Sequence, residues 1–349
     1  MKESMSVAVM NGIGKMELVV RPVPVPANGE VLVKIDYVGI CGSDIHYYEN
    51  GCIGNYIVKP PFVLGHEAAG EVVALGNEVT NLKIGDRVAL EPGRTCGRCR
   101  YCREGQYNLC QDVVFFATPP VDGVFQEYAT HPAELCFRLP ENVSNLEGAL
   151  IEPLVVGFHA ANQGGAHAGQ KAVVFGSGCI GLVCMMALKA EGISEVIVVD
   201  VIQKRLEKAL ELGATAVINS STENLVERIN ELTGGEGIDL SIETAGMEVT
   251  TRQAIEIARK GATIVLVGYS KRGELTLPVS LFIDKELTFK SVFRYRHIYP
   301  MAIEAVANGR VNLKDLATHV FDLDNIQEAM DRSVSDKADI VKAVVRIKA

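Results

Sequence analysis

Apolar and polar positions divide the chain into two textures. Through about residue 150, short β-rich runs (EVLVKIDYVGI, AAGEVVALG, GDRVAL) are broken by Gly, Pro, Asn and Asp at intervals too short for long helices. After Pro153, apolar runs alternate with stretches of helical period: KAVVF, a helix to about Glu191, EVIVVD, a helix in IQKRLEKALELG, AVI, NLVERINEL, IDLSIET, EVTTRQAIEIARK and GATIVLVG. In IQKRLEKALELG, Ile202, Leu206, Ala209 and Leu210 recur at helical spacing, which leaves Gln203, Lys204 and Lys208 to solvent. Such alternation predicts an α/β unit built on a parallel, doubly wound sheet with helices on both faces. From Phe293 the pattern loosens into one helix near Pro300 to Gly309 and a last strand in IVKAVVRIK. The expected organisation is a β-rich domain at 1–154, a doubly wound domain at 155–292, and a return to the first domain at 293–349.

The first βα turn of the second texture, VVFGSGCIGLV, carries Gly176-x-Gly178-x-x-Gly181. Alone the pattern is weak, but it follows a strand-like run, opens a helix, and precedes Asp200 at the end of EVIVVD by the distance expected of a ribose-binding acid. Gly176 would make the tight turn, Gly178 would admit a pyrophosphate to the backbone, and Gly181 would let helix and strand pack closely, with phosphate at the helix N-terminus. Asp200 favours NAD over NADP, with Lys204 and Arg205 nearby tempering that preference.

Composition narrows the function classes. The 349 residues are 48% hydrophobic and 22% charged, as globular domains are, with a net charge of −9 that disfavours nucleic-acid and anionic-membrane partners. The stretch MKESMSVAVMNGIGKMELVV lacks an apolar targeting core, so a cytoplasmic location is expected. In such a reducing setting the nine cysteines point to metal rather than disulfides. Four of them form Cys96-x2-Cys99-x2-Cys102-x7-Cys110. That spacing fits neither common iron–sulfur pattern and suits a closed, structural zinc site, with reduced unbound cysteines as the alternative. The neighbouring Arg94, Arg98, Arg100 and Arg103 either offset thiolate charge or face solvent.

Two further runs hold ligand types. GICGSDIHYY offers Cys41, Ser43, Asp44 and His46, and VLGHEAAGEV offers His66 and Glu67. Cys41, His66 and a carboxylate would leave zinc an open fourth position, the catalytic arrangement. Taken from the residues alone, a small core cysteine and a surface or hydrogen-bonded His–Glu pair are the commoner readings of these residues.

The runs GICGSDIHYY, GHEAAGEVVALG, GDRVALEPG, the four-cysteine stretch and VVFGSGCIG stand in the order and spacing of the zinc-dependent medium-chain dehydrogenases, the alcohol dehydrogenase superfamily, which the chain resembles over nearly its whole length. GNYIVKPPFVLGHE, FFATPPVDG, GALIEPLVVG and VFRY resemble the polyol branch, the sorbitol and xylitol dehydrogenases. The resemblance implies a GroES-like catalytic domain beside a Rossmann domain. It also implies two zinc ions per chain: a catalytic one at Cys41, His66 and Glu67, with Glu152 bound directly or through water, and a structural one at the four cysteines. It further implies substrate contacts from Tyr47, Glu152, Arg294 and Tyr295. For NAD it implies Ile180, Asp200, Arg205, the segment Val267, Gly268 and Tyr269, and the segment Val292, Phe293 and Arg294. Some animal sorbitol dehydrogenases lack the four cysteines, so a non-animal origin is consistent with this chain.

The expected reaction is NAD-dependent oxidation of a polyol secondary hydroxyl to a ketose, with Ser43 and His46 resembling the family's proton relay and Glu152 among the catalytic groups. Phe115 and Phe116 are candidates for a pocket wall or for core packing. Two alternatives accompany this reading: a butanediol, threonine or sugar-alcohol-phosphate dehydrogenase of the same superfamily, and a silent NAD- and zinc-binding sensor or scaffold. Relatives of this kind assemble as homotetramers or homodimers.

Overall fold

The computed structural model describes residues 2–270 and 273–348. The chain divides into two compact units, one of residues 1–152, 299–307 and 317–349, the other of 153–298 and 308–316. Residues 293–298 and 308–316, expected with the β-rich domain, pack instead with the doubly wound unit. The reason is local. Val292 donates its amide to Leu266 at 3.0 Å, so the chain beyond the last strand of that sheet is still tied to it.

The first unit is built on a seven-stranded sheet. Its spatial order runs Cys136–Arg138, Arg87–Leu90, Glu67–Leu75, Glu30–Gly39, Ala343–Arg346 and His319–Asp322, with Tyr128–Pro132 also paired to Glu30–Gly39. Glu30–Gly39 lies centrally and its inward side chains, Val31, Val33, Ile35 and Val38, are fully buried. This long strand aligns antiparallel with both Glu67–Leu75 and Ala343–Arg346, placing Gly39 opposite Glu67 and Val344. One cluster gathers these strands with Leu64, Phe125, Met330 and Phe321.

The second unit holds six parallel strands in the order Ala216–Asn219, Glu195–Asp200, Lys171–Phe175, Ile238–Glu243, Ala258–Leu266 and Thr288–Ser291. The order reverses direction at Lys171–Phe175, so the crevice at its carboxyl end is the topological switch point where such sheets bind ligands. Val173, Val174 and Phe175 are inaccessible on both faces, as expected of a strand between helical layers. Two expectations fail in detail. Leu210 is 47% exposed, because the nine-residue helix Gln203–Glu211 covers the sheet with Leu206 and Ala209 only. The helix expected over EVTTRQAIEIARK ends at Ile257, and Ala258 already begins a strand. Among the described residues, no helix is long and apolar enough to cross a membrane.

Candidate active site and metal centres

Asp44 organises the first donor group. It sits in the first turn of the helix Gly42–Asn50 and is inaccessible to solvent. One carboxylate oxygen accepts from the Cys41 amide at 2.9 Å, the other from the Gly65 amide at 2.9 Å, and His66 Nδ1 stands 3.8 Å away. The positive φ of 87° at Gly65 turns the chain so that this amide points inward. One buried carboxylate thus ties together the two segments that carry Cys41 and His66. Asp44, a ligand type by sequence, serves here as their anchor.

Ligand atoms of Cys41, His66 and Glu67 lie within 4.8 Å of one another, with His66 and Glu67 buried. A tetrahedral zinc with N, O and S donors needs them about 3.3–3.8 Å apart, so small side-chain adjustments suffice. Burial alone would lower the pKa of His66. The charges of Cys41, Asp44 and Glu152 outweigh it and hold the imidazole well above its ordinary value. A ring surrounded by so much negative charge, beside the buried carboxylate of Glu67, whose Oε2 is also ion-paired with Lys342, fits a divalent cation held by these donors. Glu152, 5% exposed in the first turn of Ile151–Gly164, stands outside this tight group yet close enough to act on His66 electrostatically.

The surroundings are mixed. Phe115 packs its ring 5.7 Å from His66, so it borders the group, whereas Phe116 lies 4.6 Å from the His131 ring and belongs to the core side. Tyr47 is buried, Ser43 is half-buried, and His46 is exposed with Nδ1 2.9 Å from Asn50 Nδ2. Sequence reasoning passed over Glu91. Burial, reinforced by the charge of Glu152 and opposed by a 2.8 Å hydrogen bond from Tyr107, pushes its pKa up to about 7. It also passed over Lys342, whose ammonium is buried against Glu67.

The four cysteines converge as their spacing requires. Their sulfurs lie within 4.8 Å of one another, with Cys96 to Cys102 at 4.0 Å and Cys99 to Cys102 at 3.5 Å. Tetrahedral zinc–thiolate bonds of about 2.3 Å set sulfur–sulfur edges of about 3.8 Å, between those two distances. Cys96, Cys99, Cys102 and Cys110 form no disulfide, so the cluster is no disulfide pair. Backbone amides of Cys99 and Cys96 point at the sulfurs of Cys96 and Cys110, each at 3.4 Å. Amides of Arg98 and Cys99 bring the Cys96 thiol down to about 7, toward the metal-binding thiolate. Arg94, Arg98, Arg100 and Arg103 face solvent, with Arg100 paired to Glu104 at 2.8 Å.

In the second unit, the glycine turn meets its steric requirements. Gly176 has φ of 94°, and a Cβ on Gly181 would stand 1.8 Å from the Gly176 carbonyl oxygen. Gly178 caps the helix Cys179–Ala190, and a Cβ there would find only the Arg205 guanidinium, at 3.7 Å. Open space over the cap, at a helix N-terminus and beside a cation, suits a pyrophosphate. Asp200 accepts from the amide and hydroxyl of Ser177 at 2.6 and 2.8 Å, and from the amides of Val201 and Ile202 at 2.7 and 3.0 Å. A carboxylate has about four acceptor positions, so the chain itself uses them all. Asp200 is first a clasp for the turn, and ribose hydroxyls would have to share it.

Ile180, Val267 and Gly268 are half-buried near the strand ends, and Tyr269 is 80% exposed. Phe293 is 43% exposed with the Arg294 guanidinium 4.9 Å from its ring centroid, while Tyr295 is buried and Val292 half-buried. Arg294 and His297 both adopt φ of 55°, a left-handed conformation rare for side-chain-bearing residues and most often kept where a site needs it.

A doubly wound sheet with an open glycine turn, in one chain with two convergent metal-donor groups, defines a metal- and nucleotide-dependent oxidoreductase. The chain belongs to the zinc-dependent alcohol dehydrogenase family, in its polyol branch. Residues 27–141 match the family described as the alcohol dehydrogenase GroES-like domain, and residues 179–308 the zinc-binding dehydrogenase family. It is 43% identical to a sorbitol dehydrogenase of Bacillus subtilis, across 98% of this chain and 97% of that protein. It is 42% identical to a probable D-xylulose reductase A of Emericella nidulans, across 92% of this chain and 91% of that one. A short chain alcohol dehydrogenase from Escherichia coli CFT073, solved with NADH, superposes with a TM-score of 0.91 at 32% identity, covering 99% of this chain and all of that one (100%).

Proposed function

We propose that the protein oxidises a secondary hydroxyl of a linear polyol to the ketose, using NAD. The observation that carries this reading is the convergence of Cys41, His66 and Glu67 beside the buried carboxylate of Glu152. Those three residues would hold the catalytic zinc, with Glu152 reached directly or through water, and Cys96, Cys99, Cys102 and Cys110 would hold the structural zinc. When bound, zinc supplies Lewis acidity toward an alcohol oxygen and NAD supplies the hydride acceptor.

The chain's own residues then bind, orient and move protons. Asp44 fixes the segments of Cys41 and His66, so donor geometry is set before any ligand arrives. Glu152 and Tyr47 offer an acceptor and a hydroxyl to groups flanking the reacting carbon, with Arg294 and Tyr295 assigned the same task, while Phe115 presents an apolar surface beside His66. Ser43 would pass the substrate's proton outward to His46, whose exposure puts it in exchange with solvent. Gly176, Gly178 and Gly181 would seat the pyrophosphate with Ile180 and Arg205 beside it. Asp200 would take the adenosine ribose, and Val267, Gly268, Tyr269, Val292, Phe293 and Arg294 would border the rest of NAD. Location in the cytoplasm and assembly as a homotetramer or homodimer complete the reading.

Steady-state kinetics on a stereochemically complete set of four- to six-carbon polyols, with NAD and NADP compared by NADH or NADPH absorbance, tests it. Turnover of one or more polyols with NAD preferred is the expected result. Activity confined to butanediol, threonine or a sugar-alcohol phosphate, or none at all, overturns it.

A further inference from the structure

The four cysteines belong to a lobe, residues 95–113, whose ends are joined by a short antiparallel ladder that pairs Gly93 with Phe115 and Arg94 with Val114. Within the lobe only Asn108 and Cys110 are buried, so it has no apolar core of its own and its shape falls to the ligand bonds of the thiolate clamp. The lobe also folds back onto the base of its ladder. Tyr107, in the single turn Tyr107–Leu109 between Cys102 and Cys110, donates its hydroxyl to a carboxylate oxygen of Glu91 at 2.8 Å. Glu91 is 4% exposed and its backbone is fixed on both sides: the amide donates to the Leu135 carbonyl at 2.9 Å, and the carbonyl accepts from His131 Nε2 at 2.8 Å.

The ladder's base leads to the other donor group. The Phe116 amide donates to the Pro92 carbonyl at 3.2 Å, and a Cβ on Gly93 would stand 3.1 Å from the Phe115 ring, so that ring packs directly on the backbone that follows Glu91. The same ring lies 5.7 Å from the His66 ring. We propose that Glu91 and Tyr107 are positioning residues for Phe115, their hydrogen bond carrying the state of the four-cysteine clamp to the apolar wall beside His66. The inference rests on the reading that the four cysteines hold zinc and that Phe115 borders the substrate. Removing either partner of the bond leaves the other unsatisfied in a buried place, and the base of the ladder must relax. Opening the clamp takes Tyr107 from its position and loses the same bond, so the two perturbations remove one interaction and should not add.

The test labels the ring itself. With para-fluorophenylalanine in place of Phe115 in the full-length protein, the fluorine NMR resonance reports the ring's surroundings whether or not the protein turns over substrate. Y107F, which keeps the aromatic ring and deletes the hydroxyl, and E91A should move the resonance to a common new position. E91Q, whose amide oxygen still accepts from Tyr107, should leave it where the wild type has it. C99S should displace it in the otherwise wild-type protein and by much less in Y107F. In unlabelled protein, Y107F should raise the KM for the polyol roughly tenfold with metal content unchanged. A wild-type resonance in both Y107F and E91A, a C99S displacement as large in Y107F as without it, or an unchanged KM overturns the inference. C99S protein that keeps the wild-type metal content instead overturns the assignment of the clamp, and wild-type protein that turns over no polyol overturns the proposed function.

Discussion

Replacing Asp44 by Asn isolates the role of one buried carboxylate. In the native protein its two oxygens accept from the Cys41 and Gly65 amides, both at 2.9 Å. Asparagine is nearly isosteric but offers one oxygen and one NH2 group, so one amide must face another donor. A buried donor left unsatisfied costs about 1–3 kcal/mol, and the surviving bond loses its charge assistance, worth about 1 kcal/mol more. Burial raises the pKa of Asp44, while His66 and the two amides pull it down, so the site already holds a carboxylate against a desolvation cost that Asn would not bear. That relief offsets part of this loss of about 2–4 kcal/mol and leaves a net cost of roughly 1–3 kcal/mol for the two segments. Hydrogen exchange with mass-spectrometric readout on peptides covering residues 40–48 and 62–68 should report protection lower by about 5- to 150-fold, with peptides of the sheet at 171–200 unchanged. Retained protection within about threefold at both segments would show that Asp44 does not tie them together.

Three other perturbations have defined outcomes. In G181A the added Cβ meets the Gly176 carbonyl, which would otherwise be 1.8 Å away, so the turn must shift and the KM for NAD should rise at least about tenfold with metal content unchanged. In C99S, elemental analysis should find one zinc per chain rather than two, and the melting temperature should fall by several degrees because a closed four-thiolate site contributes folding energy. His131 and His159 are each held neutral by burial, with pKa values lowered to about 4. A lowered folded value means stability present above the unfolded value of about 6.5 and lost as pH falls through 4, by about 1.4 kcal/mol per pH unit for each histidine. They lie in different units, so H131Q and H159Q should each flatten the acid dependence of one unfolding step, and parallel wild-type slopes in both variants would refute it.

What could be read from sequence follows the distance over which each constraint acts. The glycine turn is legible because Gly176 and Gly181 answer to backbone geometry within five residues of each other, and the four cysteines because their clamp is a single loop. The β–α alternation is legible because a strand buried on both faces needs an unbroken apolar run. Cys41, His66 and Glu67 required a family resemblance, since they come from two segments distant in sequence that meet through strand pairing and through Asp44, and a buried Asp has no periodic signature. Lys342 had no signal at all. In IVKAVVRIK it looks like a solvent-facing position, and its partner Ile40 is 302 positions away. The helix Ile326–Ser335 was missed for a related reason: its buried Ile326, Ala329 and Met330 sit among polar residues, and it matters through Asp331 and Gln327, which hold the Tyr48 hydroxyl at 2.6 Å each.

The buried charges of the first unit argue for one further connection between stability and function. Asp44, Glu67 and Glu152 are each no more than 5% exposed, Cys41 adds a thiolate when it binds metal, and Lys342 pairs with Glu67. Each ionised group withdrawn from water costs several kcal/mol unless a counter-charge meets it. Evolution could have removed that cost with apolar side chains, but such a core would bind no cation. The unit keeps the acids and lets His66 answer them with a raised proton affinity when no metal is present. Metal binding must therefore release a proton from His66, so affinity for zinc should rise with pH, while the support that protonated His66 gives the metal-free unit is lost as pH rises through its raised value; the two should move in opposite directions with pH.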